Sequence, residues 1–192
     1  MTFACRVNGY LTNFTTQLAI YTSSGTVTIP SGATTMTIEA WGGGGGGSRG
    51  IGTGCGSTAG SSGGTGGYSR VTFNVAAYNN KTLSFSVGAA GSNNSGNGGA
   101  TTVTSGSFTL STITCNGGQG GGGAGGSVTN PNPGAANTAG IAGVAQSTLT
   151  NPGINGSITG DGSPYGNGGR GGANAGNPGQ PGTVGAVVFY FQ

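Results

Sequence analysis

An all-β fold is predicted: a small, jelly-roll-like β-sandwich with a glycine-rich polyproline II helical tier and no α-helices. Three observations predict it. Apolar residues alternate with period two in several short stretches; no segment carries a helical period; and glycine, 48 of 192 residues, recurs at every third position in long tracts.

The strands come in order. "TVTIP" (26–30) places Val27 and Ile29 on one face and ends in a turn at Pro30, Ser31 and Gly32. "TTMTIEAW" (34–41) sends Met36, Ile38 and Ala40 one way and Thr35, Thr37, Glu39 and Trp41 the other. "YSRVTFNV" (68–75) aligns Val71, Phe73 and Val75, and "KTLSFSVG" (81–88) aligns Leu83, Phe85 and Val87. "SFTLSTITC" (107–115) reads as a strand through Phe108 and Leu110, continuing after a shift through Ile113 and Cys115. "AVVFYF" (186–191) closes the chain as an apolar run. Thr, Val and Phe at these places suit a pleated surface buried on one side.

Between the last two strands, 117–185 is mostly Gly, Asn, Thr, Ala and Pro, too long for a structureless loop inside a compact domain. Its glycines keep a phase of three: Gly117, Gly120, Gly123 and Gly126; Gly166, Gly169 and Gly172; then, after a slip, Gly176, Gly179, Gly182 and Gly185. Three residues per turn is the polyproline II period, and a glycine edge lets one backbone approach another closely enough for N–H to reach C=O. Where glycines are consecutive, as in Gly42 to Gly47 or Gly120 to Gly123, more than one edge is free, and such a helix can sit inside a bundle. Two rivals are weaker. "GNPGQPGTVG" (176–185) has collagen-like triplets but is short and out of phase with what precedes it, and a flexible linker has no reason to hold a three-residue phase. The expected division is 1–20 as an attachment segment, 21–116 as sandwich strands with an inserted poly-Gly tract, 117–185 as the polyproline II and loop region, and 186–192 as the closing strand.

Composition excludes much chemistry. With no His and only Glu39 and Asp161 as side-chain carboxylates, no Ser-His or Cys-His pair can exist and a carboxylate pair would need both acids, so no enzyme activity is expected. Glu39 reads as an outer-face strand residue or an Arg partner, and Asp161 as a turn residue. Cys5, Cys55 and Cys115 form no CxxC, and buried or inert thiols are expected rather than a metal site. Gly42-x-Gly44-x-x-Gly47 fits a dinucleotide fingerprint formally, but no helix or spaced acid follows. No cofactor is expected. Arg6, Arg49, Arg70, Lys81 and Arg170 are dispersed, which argues against nucleic acid despite a pI near 9.0. No stretch is apolar and long enough to span a bilayer as a helix, and "MTFACRVNGYLTNF" lacks the layout of a signal peptide, so membrane insertion is not expected and folding in a cytoplasm is.

The succession "YTSSGTVTIPSGATTMTIEAWGGGGGG", "GGTGGYSRVTFNV", "KTLSFSVGAAG", "NGGATTV" and "TITCNGGQGGGGAGG" resembles the glycine-rich domain found in bacteriophage tail, fibre and adhesin proteins. Ile29-Pro30, Trp41-Gly42, Gly67-Tyr68 and Val87-Gly88 occupy the places that carry the likeness, which covers roughly residues 21 to 126. Gly88-Ala89-Ala90-Gly91 departs from the more Gly-rich turn of that family, and 127–153 is less Gly-dense than a full polyproline II bundle. The resemblance implies a non-enzymatic virion protein, made in the host cytoplasm and residing in the particle: a fibre or tip adhesin that binds a host cell-surface receptor, or a capsid decoration or structural component. Its partners would be other virion proteins and that receptor. A homo-oligomer, with a trimer as one form, would cover the sandwich edges. An ice-binding surface protein is the alternative from another class and calls for regularly spaced Thr on a flat face, whereas Thr is clustered in strands here. Asn93 and Asn94 in "NNSGNGG", Asn132 in "TNPNPG" and Tyr165 are the receptor-contact candidates, because loops carry recognition. Trp41, Gly44, Gly67 and Tyr68 are expected as structural anchors.

Overall fold

The structure is a computed structural model that describes residues 3–7, 10–14, 16–53, 56–143, 164–173 and 175–192; Asp161 and Cys55 lie outside the described residues. The strands are β1 (Phe3–Val7), β2 (Tyr10–Phe14), β3 (Gln17–Tyr21), β4 (Gly25–Thr28), β5 (Thr35–Trp41), β6 (Ile51–Thr53), β7 (Gly56–Thr58), β8 (Tyr68–Asn74), β9 (Thr82–Ser86), β10 (Thr101–Ser105), β11 (Ile113–Cys115), β12 (Val128–Thr129), β13 (Ala136–Thr138) and β14 (Ala186–Phe191). Two antiparallel five-stranded sheets, ordered β13-β8-β5-β14-β3 and β12-β11-β10-β9-β4, face each other; β1-β2 and β6-β7 form two further two-stranded antiparallel sheets. Met36, Ile38, Val71, Val187, Phe189 and Phe191 from the first sheet meet Val27, Leu83, Phe85, Val103, Ile113 and Cys115 from the second in one buried core. The period-two alternation in β5 therefore reads directly as the two faces of its sheet, whereas the apolar run of β14 is buried on both, with Val188 packed on Trp41.

Three expectations change. "SFTLSTITC" is not one strand: only Ile113–Cys115 pairs, while Phe108 and Leu110 are buried from a loop pinned by Ser105, whose hydroxyl donates to Leu110 O at 2.9 Å and accepts from Leu110 N at 3.0 Å. The boundary at residue 20 cuts through β3, which pairs with β14 from Gln17↔Phe191 to Tyr21↔Val187 and so belongs to the sandwich. The polyproline II tier is also not confined to 117–185, because 42–50, 60–67 and 88–99 contribute to it as fully.

That tier is organised around segment 42–50, which continues directly out of β5. Its N–H groups serve three partners in rotation at 2.7–3.1 Å: Gly42, Gly45 and Ser48 donate to Gly67, Gly64 and Ser61; Gly43 and Gly46 donate to Gly99 and Gly96; Gly44, Gly47 and Gly50 donate to Thr183, Gln180 and Asn177. Partner numbers fall as its own rise, so these three neighbours are antiparallel. Its carbonyls serve three parallel neighbours in the same rotation. Gly43 and Gly46 accept from Gly118 and Gly121, Gly44 and Gly47 from Gly91 and Ser95, and Gly45 and Ser48 from Gly169 and Gly172. A return to the same partner every third residue is the polyproline II period.

The six neighbours close a ring. Gly64 N bonds Gln119 O, Gly98 N bonds Gly118 O, Gly99 N bonds Ala89 O, Gly182 N bonds Gly91 O, Thr183 N bonds Asn167 O, and Gly63 N bonds Gly169 O. The result is a hexagonal bundle, one helix inside six, with neighbours alternately antiparallel and parallel to the centre. Segments 123–126 and 139–143 lie outside it against 60–67, through bonds such as Gly126 N to Thr65 O and Thr65 N to Ile141 O.

This packing explains the six-glycine run. A Cβ on Gly42 or Gly45 would meet the carbonyls of Asn116 or Gln119, on Gly43 or Gly46 those of Ala89 or Ser92, and on Gly44 or Gly47 those of Asn167 or Arg170, all under 3.0 Å. All three edges of the central helix face backbone, so none can carry a side chain. The outer segment 177–185 uses one edge, with Gly179, Gly182 and Gly185 inward and Pro178 and Pro181 exposed. The collagen-like triplets are thus a single outer helix. Gly120–Gly123, by contrast, is a turn: Gly121 and Gly122 have φ of 60° and 86°.

Candidate functional site

Chain direction fixes two ends of the bundle. Trp41, Tyr68, Gly88, Thr101, Cys115 and Ala186 join it to the sandwich; the described residues that turn back at the far end are those around 48–53, 56–60, 92–96, 120–123, 172–173 and 175–177. At about 3.1 Å rise per residue, segment 42–50 carries this tip about 25 Å from its root.

The tip turns are tied to the bundle rather than loosely attached. Asn94 and Ser95 adopt left-handed φ of 58° and 74°, a conformation Asn tolerates, and Ser95 N donates to Gly47 O at 3.1 Å. Asn97 Oδ1 accepts from Gly120 N at 3.0 Å, linking neighbouring turns. Ser61 N donates to Ser48 Oγ at 2.7 Å, and Arg49 Nε donates to Gly176 O at 2.9 Å. Asn93 and Asn94 point into solvent from this frame. Fixed backbone with exposed amide side chains is an arrangement suited to hydrogen-bonded recognition.

The other two contact candidates lie elsewhere. Asn132 is buried in the sandwich, where its Nδ2 donates to Ser111 O at 2.7 Å and to Asn130 Oδ1 at 2.8 Å, and its Oδ1 accepts from Ser111 N at 3.0 Å. Its amide is committed to holding a loop, so the structure does not place it with Asn93 and Asn94. Tyr165 is half-buried at the root of the bundle, its ring 5.6 Å from that of Trp41. Sequence could not separate these sites, since all sit in Asn, Pro or Gly-rich loops.

The anchors occupy the root. Trp41 is buried against Ala186 and Val188 and lies 5.0 Å from Tyr68, which closes the outer face of the first sheet. Tyr68 and Tyr190 donate to the two oxygens of Glu39 at 3.0 and 3.1 Å, and Arg70 Nε stands 3.4 Å from Oε1. Gly44 faces Asn167 O, and a Cβ on Gly67 would meet Val128 Cγ2 at 2.6 Å.

Burial pushes the Cys115 thiol up to about 12, offset in part by a backbone hydrogen bond to Ser69, and its Sγ–H donates to Ala40 O at 3.3 Å. A thiol so held is not a nucleophile at neutral pH. Among the described residues no three His, Cys, Asp or Glu side chains gather as metal ligands. Sequence reasoning counted Arg49 and Arg170 only as dispersed cations; the fold brings both to the tip, a juxtaposition that follows from pairing between 47–50 and 177–180 and has no local signal.

Compared with known protein families, the chain matches the one described as glycine-rich domain over residues 21–192. A search of curated proteins finds no match.

Proposed function

The chain belongs to the glycine-rich domain family, and we propose that it is a non-enzymatic virion protein of a bacteriophage, a tail-fibre or tail-tip adhesin that meets the host cell surface with its bundle tip. The observation that carries this reading is the rigid polyproline II bundle that holds the exposed Asn93 and Asn94 far from the sandwich. Recognition residues on a stiff support lose little conformational freedom on binding, which is what a contact made from the end of a fibre requires. The resemblance of the strand and poly-Gly series to phage tail and adhesin domains supplies the particle and the host. Residues 1–16 precede the sandwich and serve as the attachment side in this reading. The exposed edges of β3 and β4 suit a homo-oligomer, which light scattering would size.

Fluorescently labelled protein applied to bacterial cells tests the reading, together with immunogold labelling of particles. Binding that falls at least tenfold in Asn93→Ala/Asn94→Ala, with an unchanged melting temperature, is the expected outcome. Absence of the protein from purified particles would sink it.

A further inference from the structure

We propose that the cleft between segments 166–172 and 177–185 at the bundle tip binds the anionic group of an acidic saccharide, with Arg170 as the residue that reads the charge. The cleft has a volume of about 340 Å³ and is lined by Arg170, Gly172, Ala173, Asn177, Pro178 and Gln180. That volume lies at the lower end of small-molecule sites and accommodates one or two sugar rings.

Its walls are fixed by backbone bonds. Gln180 N donates to Arg170 O at 2.7 Å, Gly172 N to Ser48 O at 2.9 Å and Gly50 N to Asn177 O at 3.1 Å. Arg49 is spent on this frame, since its Nε holds Gly176 O. Arg170 is exposed, and among the described residues no carboxylate pairs with it; the one described ion pair, Arg70 with Glu39, is at the sandwich. A guanidinium free to offer two parallel N–H groups matches a carboxylate or phosphate oxygen pair.

The remaining wall chooses among anions. Asn177 and Gln180 supply amide donors and acceptors for hydroxyls, and Pro178 and Ala173 supply a small apolar surface for the C–H face of a ring. Among the described residues no aromatic side chain lines the cleft, which removes the stacking platform that a nucleobase needs. A sugar bearing a carboxylate or a phosphate uses every one of these groups.

This inference rests on the recognition reading and names its ligand class. The full chain, isotopically labelled, is titrated with trigalacturonate, 3′-sialyllactose and glucose 6-phosphate, against lactose and inorganic phosphate. At least one acidic sugar should shift the amides of residues 171–180, with binding weakened at least tenfold by Arg170→Gln, only partly by Arg170→Lys, and not by Lys81→Gln. Because the Arg170 side chain is exposed, Arg170→Gln should keep the wild-type melting temperature. Equal binding of lactose, equal binding of inorganic phosphate, no binding of any acidic sugar, or an unaffected Arg170→Gln variant would each overturn the proposal. The cell assay separates the two readings. Wild-type cell binding by Arg170→Gln discards the cleft and leaves the adhesin, whereas saccharide binding without cell binding discards the adhesin and leaves the cleft.

Discussion

A methyl group on Gly45 would land on the carbonyl of Gln119, in a neighbour that is itself locked into the ring. Backbone on both sides cannot give way as a flexible side chain can, so Gly45→Ala should cost about 3 kcal/mol or more. Gly134 is the matched control. It has φ of 75° but nothing within 4 Å of an added Cβ, so Gly134→Ala should cost only the left-handed strain of about 1–2 kcal/mol. Urea denaturation of both variants checks this, and equal losses would show that the six-glycine run does not pack. Cys115 gives a second expectation at this scale. Its folded thiol lies near 12 against an ordinary value of 9.0, so between these values the unfolded chain gives up the proton while the folded chain keeps it. The unfolded state then binds fewer protons, and stability falls as pH rises from about 9 towards 12. Cys115→Ala should lose that part of the decline, as read from urea midpoints between pH 8 and 11 in both proteins.

How legible each strand was depended on which side of it is apolar. β5, β8 and β9 alternate with apolar residues inward and stand within a residue or two of where alternation puts them, while β14, buried on both faces, is legible as an unbroken apolar run. β3 escapes that test because its large aliphatics face out: Leu18 is 56% and Ile20 51% exposed, while Ala19 and Tyr21 are partly buried. β10 offers only Val103 and Thr101 inward, and Thr101 is held by its hydroxyl donating to Trp41 O at 2.6 Å rather than by apolar area. The consequence for β3 is measurable. Tyr21 packs its ring 4.6 Å from Phe85 and 6.0 Å from Phe189, so Tyr21→Ala should destabilise by about 2–3 kcal/mol. Leu18→Ala should stay within about 0.5 kcal/mol, as exposed positions do. A comparable loss at Leu18 would show that this outer face is covered in solution.

Period three in the glycines points to polyproline II helices, yet nothing local says which helix is central or what surrounds it. Gly44 finds Thr183 and Gly43 finds Gly99, pairings set only when the whole chain has threaded the sandwich end four or more times. The run of six glycines is the one local trace of the centre, because only a helix enclosed on all sides needs every edge bare. The tip is less legible still: Asn93 and Asn94 share their composition with Asn132, and only the fold puts one pair outside and the other residue inside. Enclosure makes a prediction about dynamics. An amide in segment 42–48 can exchange only if its acceptor helix leaves, and each acceptor helix is bonded to two neighbours of the ring as well as to the centre. Partial opening is therefore costly, and exchange should proceed through cooperative unfolding. In hydrogen–deuterium exchange these amides should be protected as strongly as those of β5, while the exposed amides of Asn93 and Asn94 exchange quickly. Because the central helix is the direct continuation of β5, sandwich and bundle should also melt in a single calorimetric transition. Rapid exchange across 42–48, or two separate transitions, would mean that the glycine tier is a loosely attached layer and could not hold a recognition surface in place.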